Sequence, residues 1–282
     1  MSDRFSSTSL HPEHPEQPGQ GPVFSVPRGN RILAIDGPAG AGKSTIANRM
    51  ARRFNLLNLE TGAMYRAFAL KAIQGRTALD HEAELIRLSH ITSIELNPSP
   101  HGNRVLLDGQ DVTSQLRTPQ ISEGASRVSV HGPIRAWMVA LQQAMGRKLP
   151  AGTAGLVMEG RDIGTVVFPE ASIKVFLSAS AEARTQRRLA QSATQPEIQP
   201  PIQSQIQTQT GSRARPSDVP LSPAADPIAV LAAMRERDTR DQTRSESPLR
   251  PAEDAILIDS THLGLEDVVA QVGSLVVSRW GL

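Results

Sequence analysis

The 282-residue sequence has no cysteine, which excludes disulfides and cysteine-ligated zinc and is compatible with a reducing cytoplasm. Aromatic residues are scarce, two Trp, one Tyr and six Phe. They do not interleave with basic runs, so the stacking track of a nucleic-acid motor is missing. No run approaches the roughly 20 apolar residues of a membrane helix. No Asn-Lys pair occurs anywhere, which removes the N-K-x-D element that GTP switches use to read their base. Residues 1–30 lack the apolar core of a secretory signal and are rich in Pro, Ser, Gly and Gln, the composition of a disordered tail. Net charge is only +2, too little for a general polyanion binder.

What is present is a chain of ordinary globular composition, 39% hydrophobic, long enough for a substantial core. Its cations are mostly arginine, 26 against 4 lysines. Either base composition of the genome or fixed anion recognition, to which the planar guanidinium is suited, would give that bias. The positions of the arginines decide between them.

Five short apolar runs read as strands: 31–37, 56–60, 155–160, 172–180 and 255–260. Most are continuous rather than alternating, as in strands covered on both faces of a parallel sheet. Helical segments alternate with them at Lys43–Phe54, Tyr65–Gln74, Pro133–Lys148, Ala181–Gln191, Pro227–Arg244 and Leu265–Arg279. The class is therefore α/β. Ligands of such sheets bind at the carboxyl ends of the strands, which singles out Gly37, Glu60, Gly160-Arg161-Asp162 and Asp259. Residues 91–118 break the pattern with short antiparallel strands, "ITSIEL", "NRVLLDG" and "QDVT", and so suit an inserted subdomain. Residues 191–224, rich in Gln and Pro without an aromatic, have the composition of a disordered spacer or a docking segment.

"GPAGAGKS", Gly37 to Ser44, matches the P-loop pattern after a strand and before a helix. Gly37, Pro38, Ala39, Gly40, Ala41 and Gly42 form a cradle of backbone amides, closed by the helix N-terminus. Lys43 is expected to reach the β- and γ-phosphates of ATP, and Ser44, with Thr45 beside it, to hold Mg²⁺. Asp36 either biases the metal shell or accepts hydrogen bonds from the turn. Transfer to a small acceptor also requires a second anion site. Arg66, Arg161 and the run 235–244, with Arg237, Asp241 and Arg244 at i, i+4 and i+7, can supply it. Arg184, Arg187 and Arg188 share a face of an earlier helix.

"IDGPAGAGKST", "LETGAMYR", "EGRDIGTVVFP", "RERDTRD" and "LIDST", in that order, resemble the bacterial cytidylate kinases over nearly all of Ile32 to Val272 except 191–224. The resemblance implies a five-stranded parallel sheet with helices on both faces, a core of 31–90, 150–183 and 245–280, a monophosphate-binding insert at about 91–149 and a lid at about 184–244. It implies phosphoryl transfer from ATP with Mg²⁺ to CMP or dCMP. Asp162 would accept from the cytosine amino group, which uracil lacks. Ser126 and Arg135 match other base-reading positions, and Thr61, Tyr65 and Arg66 the positions around the monophosphate and sugar. Arg161 would bind the acceptor phosphate, Arg237 and Asp241 would meet the sugar hydroxyls, and Arg244 would contact substrate nearer the phosphate. Arg184 and Arg188 would serve with Lys43 and Arg161 in catalysis. The partners are then small molecules, without nucleic acid or membrane, and the protein a cytoplasmic monomer. Glu60 stands where the family commonly has Asp. A silent nucleotide-binding scaffold, recruiting partners through tail and insertion, is the alternative.

Overall fold

The computed structural model describes residues 30–99, 102–194 and 226–282. The expected tail, save Asn30, and the expected insertion, save 191–194, lie outside the described residues. Five strands, β1 Ile32–Asp36, β2 Leu56–Glu60, β6 Gly155–Gly160, β7 Ile173–Ser178 and β8 Ile256–Asp259, form one sheet in the order β2-β6-β1-β7-β8. All its pairs are parallel. Beside it, β3 Ile94–Ser99, β4 Gly102–Leu107 and β5 Gln110–Asp111 make a small antiparallel sheet.

The continuous apolar runs have the physical cause anticipated for them. On β1, Ile32 and Ala34 face an apolar cluster built with helices α2 Thr61–Gln74, α4 Pro119–Val128 and α5 Gly132–Gly146, while Leu33 and Ile35 face one built with α1 Lys43–Phe54 and α8 Leu265–Trp280. β6 divides in the same way, Leu156 and Met158 against Val157. Both faces are dry, so no polar alternation is possible.

Three expectations are corrected. α2 begins at Thr61 rather than Tyr65, directly after β2, because Thr61 Oγ1 donates to Glu159 O at 2.8 Å and anchors the first turn. Two helices were not anticipated: α3 Glu82–Ser89, only two turns long, and α4, whose buried face of Ile121, Gly124, Ala125, Ser126 and Val128 has small residues at its centre. Thr118 caps α4 by accepting from Ile121 N at 3.2 Å, with Pro119 at the first helical position, a start signal present in the sequence. The strand anticipated from Ile91 starts at Ile94, Ile91 being 73% exposed, and the third strand of the small sheet is two residues long.

α6 Ala181–Thr194 and α7 Pro227–Thr243 pack on each other. Among the described residues no helix is long and apolar enough to cross a membrane.

Candidate active site

β1 delivers the chain straight into the phosphate loop. Gly37 has φ 145° there, and a Cβ on it would lie 2.0 Å from the Leu177 carbonyl oxygen of β7. Only glycine fits. Gly42, at φ 97°, precedes α1 and offers no side-chain cap, so the first amides of that helix stay available to an anion. Lys43 is 5% exposed and its Nζ donates to Pro38 O at 2.8 Å. Burial, then the neighbouring Arg161, pulls its pKa down to about 7. Ser44 Oγ donates to Glu159 Oε1 at 2.9 Å, and Glu159, buried at the end of β6, is itself pushed above the usual carboxylate range by that burial. Thr45 is exposed.

Arg184 braces this loop from α6. Its Nη1 donates to Ala39 O at 3.1 Å, and the guanidinium forks onto Asp238 of α7 at 3.1 and 2.6 Å. The three α6 arginines do not act together as anticipated. Arg187 turns away to Ser260, with Nη1 3.0 Å from its Oγ and Nη2 2.5 Å from its carbonyl oxygen, and Arg188 is exposed. The i, i+3, i+4 spacing fixed a common face, but the long side chains diverge from it.

Facing the loop, three arginines from different elements come together. Arg66 leaves α2 and its Nη2 donates to Glu60 Oε1 at 2.5 Å. Arg161, after β6, donates through Nε to Asp241 Oδ2 at 2.9 Å and through Nη1 to Gly160 O at 3.1 Å. Arg237 sits on α7, where loss of water, then Arg161 and, more weakly, Arg66 push its pKa down to about 10. Nε of Arg66 and Nε of Arg237 are buried without a hydrogen-bond partner. Crowded cations with idle donors are the arrangement a multiply charged anion relieves. Burial pushes Asp241 up, but Arg161, Arg237 and Arg244 outweigh it and hold the carboxyl below its ordinary range.

Arg244 is not on the helical face expected of it. It lies one residue past α7 in extended backbone, its Nε donating to Ser247 O at 2.6 Å and its Nη1 3.7 Å from Asp241 Oδ1. Behind it Asp162 and Arg135 form a buried ion pair, with Arg135 Nη1 also donating to Ser129 O at 3.3 Å and the guanidinium 5.8 Å from the Tyr65 ring. Burial pushes the Tyr65 phenol up to about 12. Ser126 Oγ accepts from Arg240 Nη1 at 2.8 Å, and the same arginine reaches Glu123 and Glu236, each at 2.8 Å. Thr61 directs its hydroxyl hydrogen at Glu159 O.

Asp36 takes the second of its two expected roles, with different donors. Its oxygens accept from Ile163 N at 2.8 Å and Gly164 N at 2.7 Å, in the loop after β6 rather than in the phosphate turn, and burial raises its pKa to about 7. Asp259, at the strand-end edge, is exposed and spends Oδ1 on Thr261. Sequence reasoning passed over Glu159, Asp238, Arg240 and Glu123. The first three stand inside the quoted motifs "EGRD" and "RERDTRD", and their partners emerge only on folding.

The donor set suits a nucleotide and a hard cation: backbone amides and an ammonium for phosphates, hydroxyl and carboxylate oxygens for a magnesium ion. A sequence model described as cytidylate kinase matches residues 33–230 and 222–278. A cytidylate kinase of a Geobacillus species is 40% identical over 254 residues, covering 90% of this chain and all of that protein. The Geobacillus kaustophilus cytidylate kinase is 41% identical over 88% of this chain and 97% of its own, and that of Solibacter usitatus 39% identical over 88% and 93%. The chain belongs to the cytidylate kinase family.

Proposed function

We propose that the protein transfers the γ-phosphoryl group of ATP, with Mg²⁺, to CMP and dCMP. The observation that supports this reading best is the meeting of Arg66, Arg161 and Arg237 near Lys43, where neighbouring guanidinium groups help to lower the pKa of Lys43 and Arg237 while buried guanidinium nitrogens of Arg66 and Arg237 go unused. Such a cluster matches the phosphate of an acceptor held against the donor's last phosphate. Transfer then needs alignment and charge neutralisation more than covalent chemistry, and no general base.

In this reading Gly37 to Gly42 cradle the donor phosphates with backbone amides, and Lys43 leaves Pro38 O for a phosphate oxygen. Mg²⁺ would be held by Ser44 with phosphate oxygens and water, and supplies neutralisation of the transferring group. Arg184, fixed by Asp238, keeps Ala39 in place; Arg188, on the same helix, is assigned to the closed lid. Arg66, Arg161 and Arg237 grip the acceptor phosphate, so that Arg237 moves from the sugar to the phosphate relative to the sequence expectation. Asp241 and Arg244 meet the sugar side. Asp162 and Arg135, with Ser126, read the base: the carboxylate accepts from the cytosine N4 amino group and the guanidinium donates to ring acceptors. Thr61 and Tyr65 line the same end, Thr61 by fixing the turn and Tyr65 as the ring under Arg135. Residues 91–149 act as the acceptor-binding insert and 184–244 as the lid that excludes water.

The test is incubation of the purified protein with ATP, Mg²⁺ and each of CMP, dCMP, UMP and AMP. CDP and dCDP should form well ahead of the other diphosphates. ADP release independent of acceptor would instead assign an ATPase.

A further inference from the structure

We propose that Asp36 is a positioning residue for acceptor recognition: from the end of the phosphate-loop strand, its carboxylate holds the backbone of the loop that carries Arg161 and Asp162. The inference rests on CMP being the acceptor.

β1 and β6 run in register, with Asp36 opposite Gly160. Past Gly160 the chain presents Arg161 and Asp162, then closes a π-helical turn, Ile163–Val167. Within that turn Val166 N and Val167 N donate to Asp162 O, and Phe168 N to Ile163 O. The first amides of any helical turn have no partner inside it. Here two of them, Ile163 N and Gly164 N, are each taken by one oxygen of Asp36, 127 and 128 residues away in sequence. Asp36 is in effect an N-cap supplied from the neighbouring strand.

The seat is close-fitting. A Cβ on Gly160 would come within 2.7 Å of Ile163 Cδ1 and 2.9 Å of Thr61 Oγ1, and one on Gly164 within 3.1 Å of Lys174 Cδ and 3.4 Å of Asp36 Oδ2. Asp36 is 6% exposed, an expensive place for a carboxylate unless both oxygens are used. With the loop pinned, Arg161 reaches Asp241 and Asp162 reaches Arg135. A shift of these two amides moves both recognition side chains together. It should disturb the phosphate loop less, because Gly37 packs closely against the Leu177 carbonyl of β7, on the other side of β1 from β6.

The experiment compares wild type, Asp36→Asn, which keeps one acceptor oxygen, and Asp36→Ala, which keeps none. Amide hydrogen exchange on the nucleotide-free full chain should accelerate at Ile163 and Gly164, by about tenfold or more in Asp36→Ala and less in Asp36→Asn. In turnover, KM for CMP should rise by about one to two orders of magnitude while KM for ATP stays within about twofold, since misplaced recognition groups cost rate in that range. The CMP/UMP preference should fall in the same order, Asn before Ala. Unchanged exchange at the two amides overturns the clamp, and a rise in KM for ATP with KM for CMP unmoved overturns the acceptor role and assigns Asp36 to the donor loop. If Asp36→Ala does not fold, the Asn variant alone carries both readouts. A wild type inert toward CMP refutes the substrate reading, and the acceptor role with it, while the exchange data still report the clamp separately.

Discussion

In the proposed reading, the two ends of the site would grip anions by different means. At the donor end the contacts are backbone amides shaped by Gly37, Gly40 and Gly42, all at positive φ, with one lysine. At the acceptor end they would be guanidinium groups on long side chains: Arg66 tied to Glu60, Arg161 tied to Asp241, and Arg237 with Nε unpartnered, while the base-reading Arg135 is tied to Asp162. A backbone cradle has little to reorganise and binds triphosphates by shape. The side-chain cradle must surrender or share its ion pairs before it closes on a ligand. On the proposed reading, donor binding would reside in backbone conformation, and grip on the acceptor phosphate in the exchange of a carboxylate partner for another anion.

The largest effect that could break this comparison is expected from Gly37→Ala. Its new Cβ meets the Leu177 carbonyl oxygen, so nucleotide binding should vanish and stability should drop by roughly 3 kcal/mol or more, read by thermal unfolding and ATP titration. Lys43→Met, in contrast, should lose about 10³-fold in turnover with almost no change in Tm, because the cradle does not depend on its side chain. Equal destabilisation by the two variants would end the claim that backbone builds the donor end. Arg237→Met should raise KM for CMP by about 10²-fold and leave KM for ATP alone, without loss of stability, since it relieves crowding among cations. A matching rise for ATP would merge the two ends into one site.

Base reading is the next smaller effect. Asp162→Asn should reduce the CMP/UMP ratio by about 10²-fold, near 3 kcal/mol, as expected when a buried group loses its hydrogen-bonding match. Asp162→Ala is the poorer test, because it strands Arg135 as an unpaired buried charge. The smallest effect is a proton. Burial and then Arg161 pull the Lys43 ammonium down to about 7, and an anion beside it would favour the charged form and raise that value. At pH 8 ATP binding should then take up close to one proton, and below about pH 6 almost none. Calorimetry in buffers of different ionisation enthalpy would show this, with Lys43→Met as the control. Zero uptake at pH 8 would mean the lysine is charged before the nucleotide arrives.

The five core strands were legible because each is a short, mainly apolar run, most of them continuous, and the phosphate loop because glycine spacing is written directly into "GPAGAGKS". α4 was harder to see: between Ile121 and Val128 its buried face is filled by the small residues Gly124, Ala125 and Ser126. The acceptor residues named from sequence do lie close together, but their partners are another matter. Glu159 reads as a strand-end charge until folding sets it 2.9 Å from Ser44, and Arg240 reads as helix surface until α4 brings Ser126 to it. Residue types reveal which groups can bind phosphate. Which of them are already engaged depends on contacts between segments far apart in the chain, and Arg187, drawn to Ser260, shows how spacing alone misleads.

One consequence follows from the way α6 and α7 are joined. Their stems are fastened low down, by Arg184 to Asp238, Arg235 to Glu182 at 2.9 Å and Thr185 against Met234. α6 runs on to Thr194 and α7 begins at Pro227, both beyond those fasteners in the chain. The entropic charge for spanning a gap grows only logarithmically with the number of links, about 0.6 kcal/mol for each doubling. A change in the number of residues between Thr194 and Asp226 should therefore cost the hairpin base little, a difference that thermal unfolding of length variants would measure.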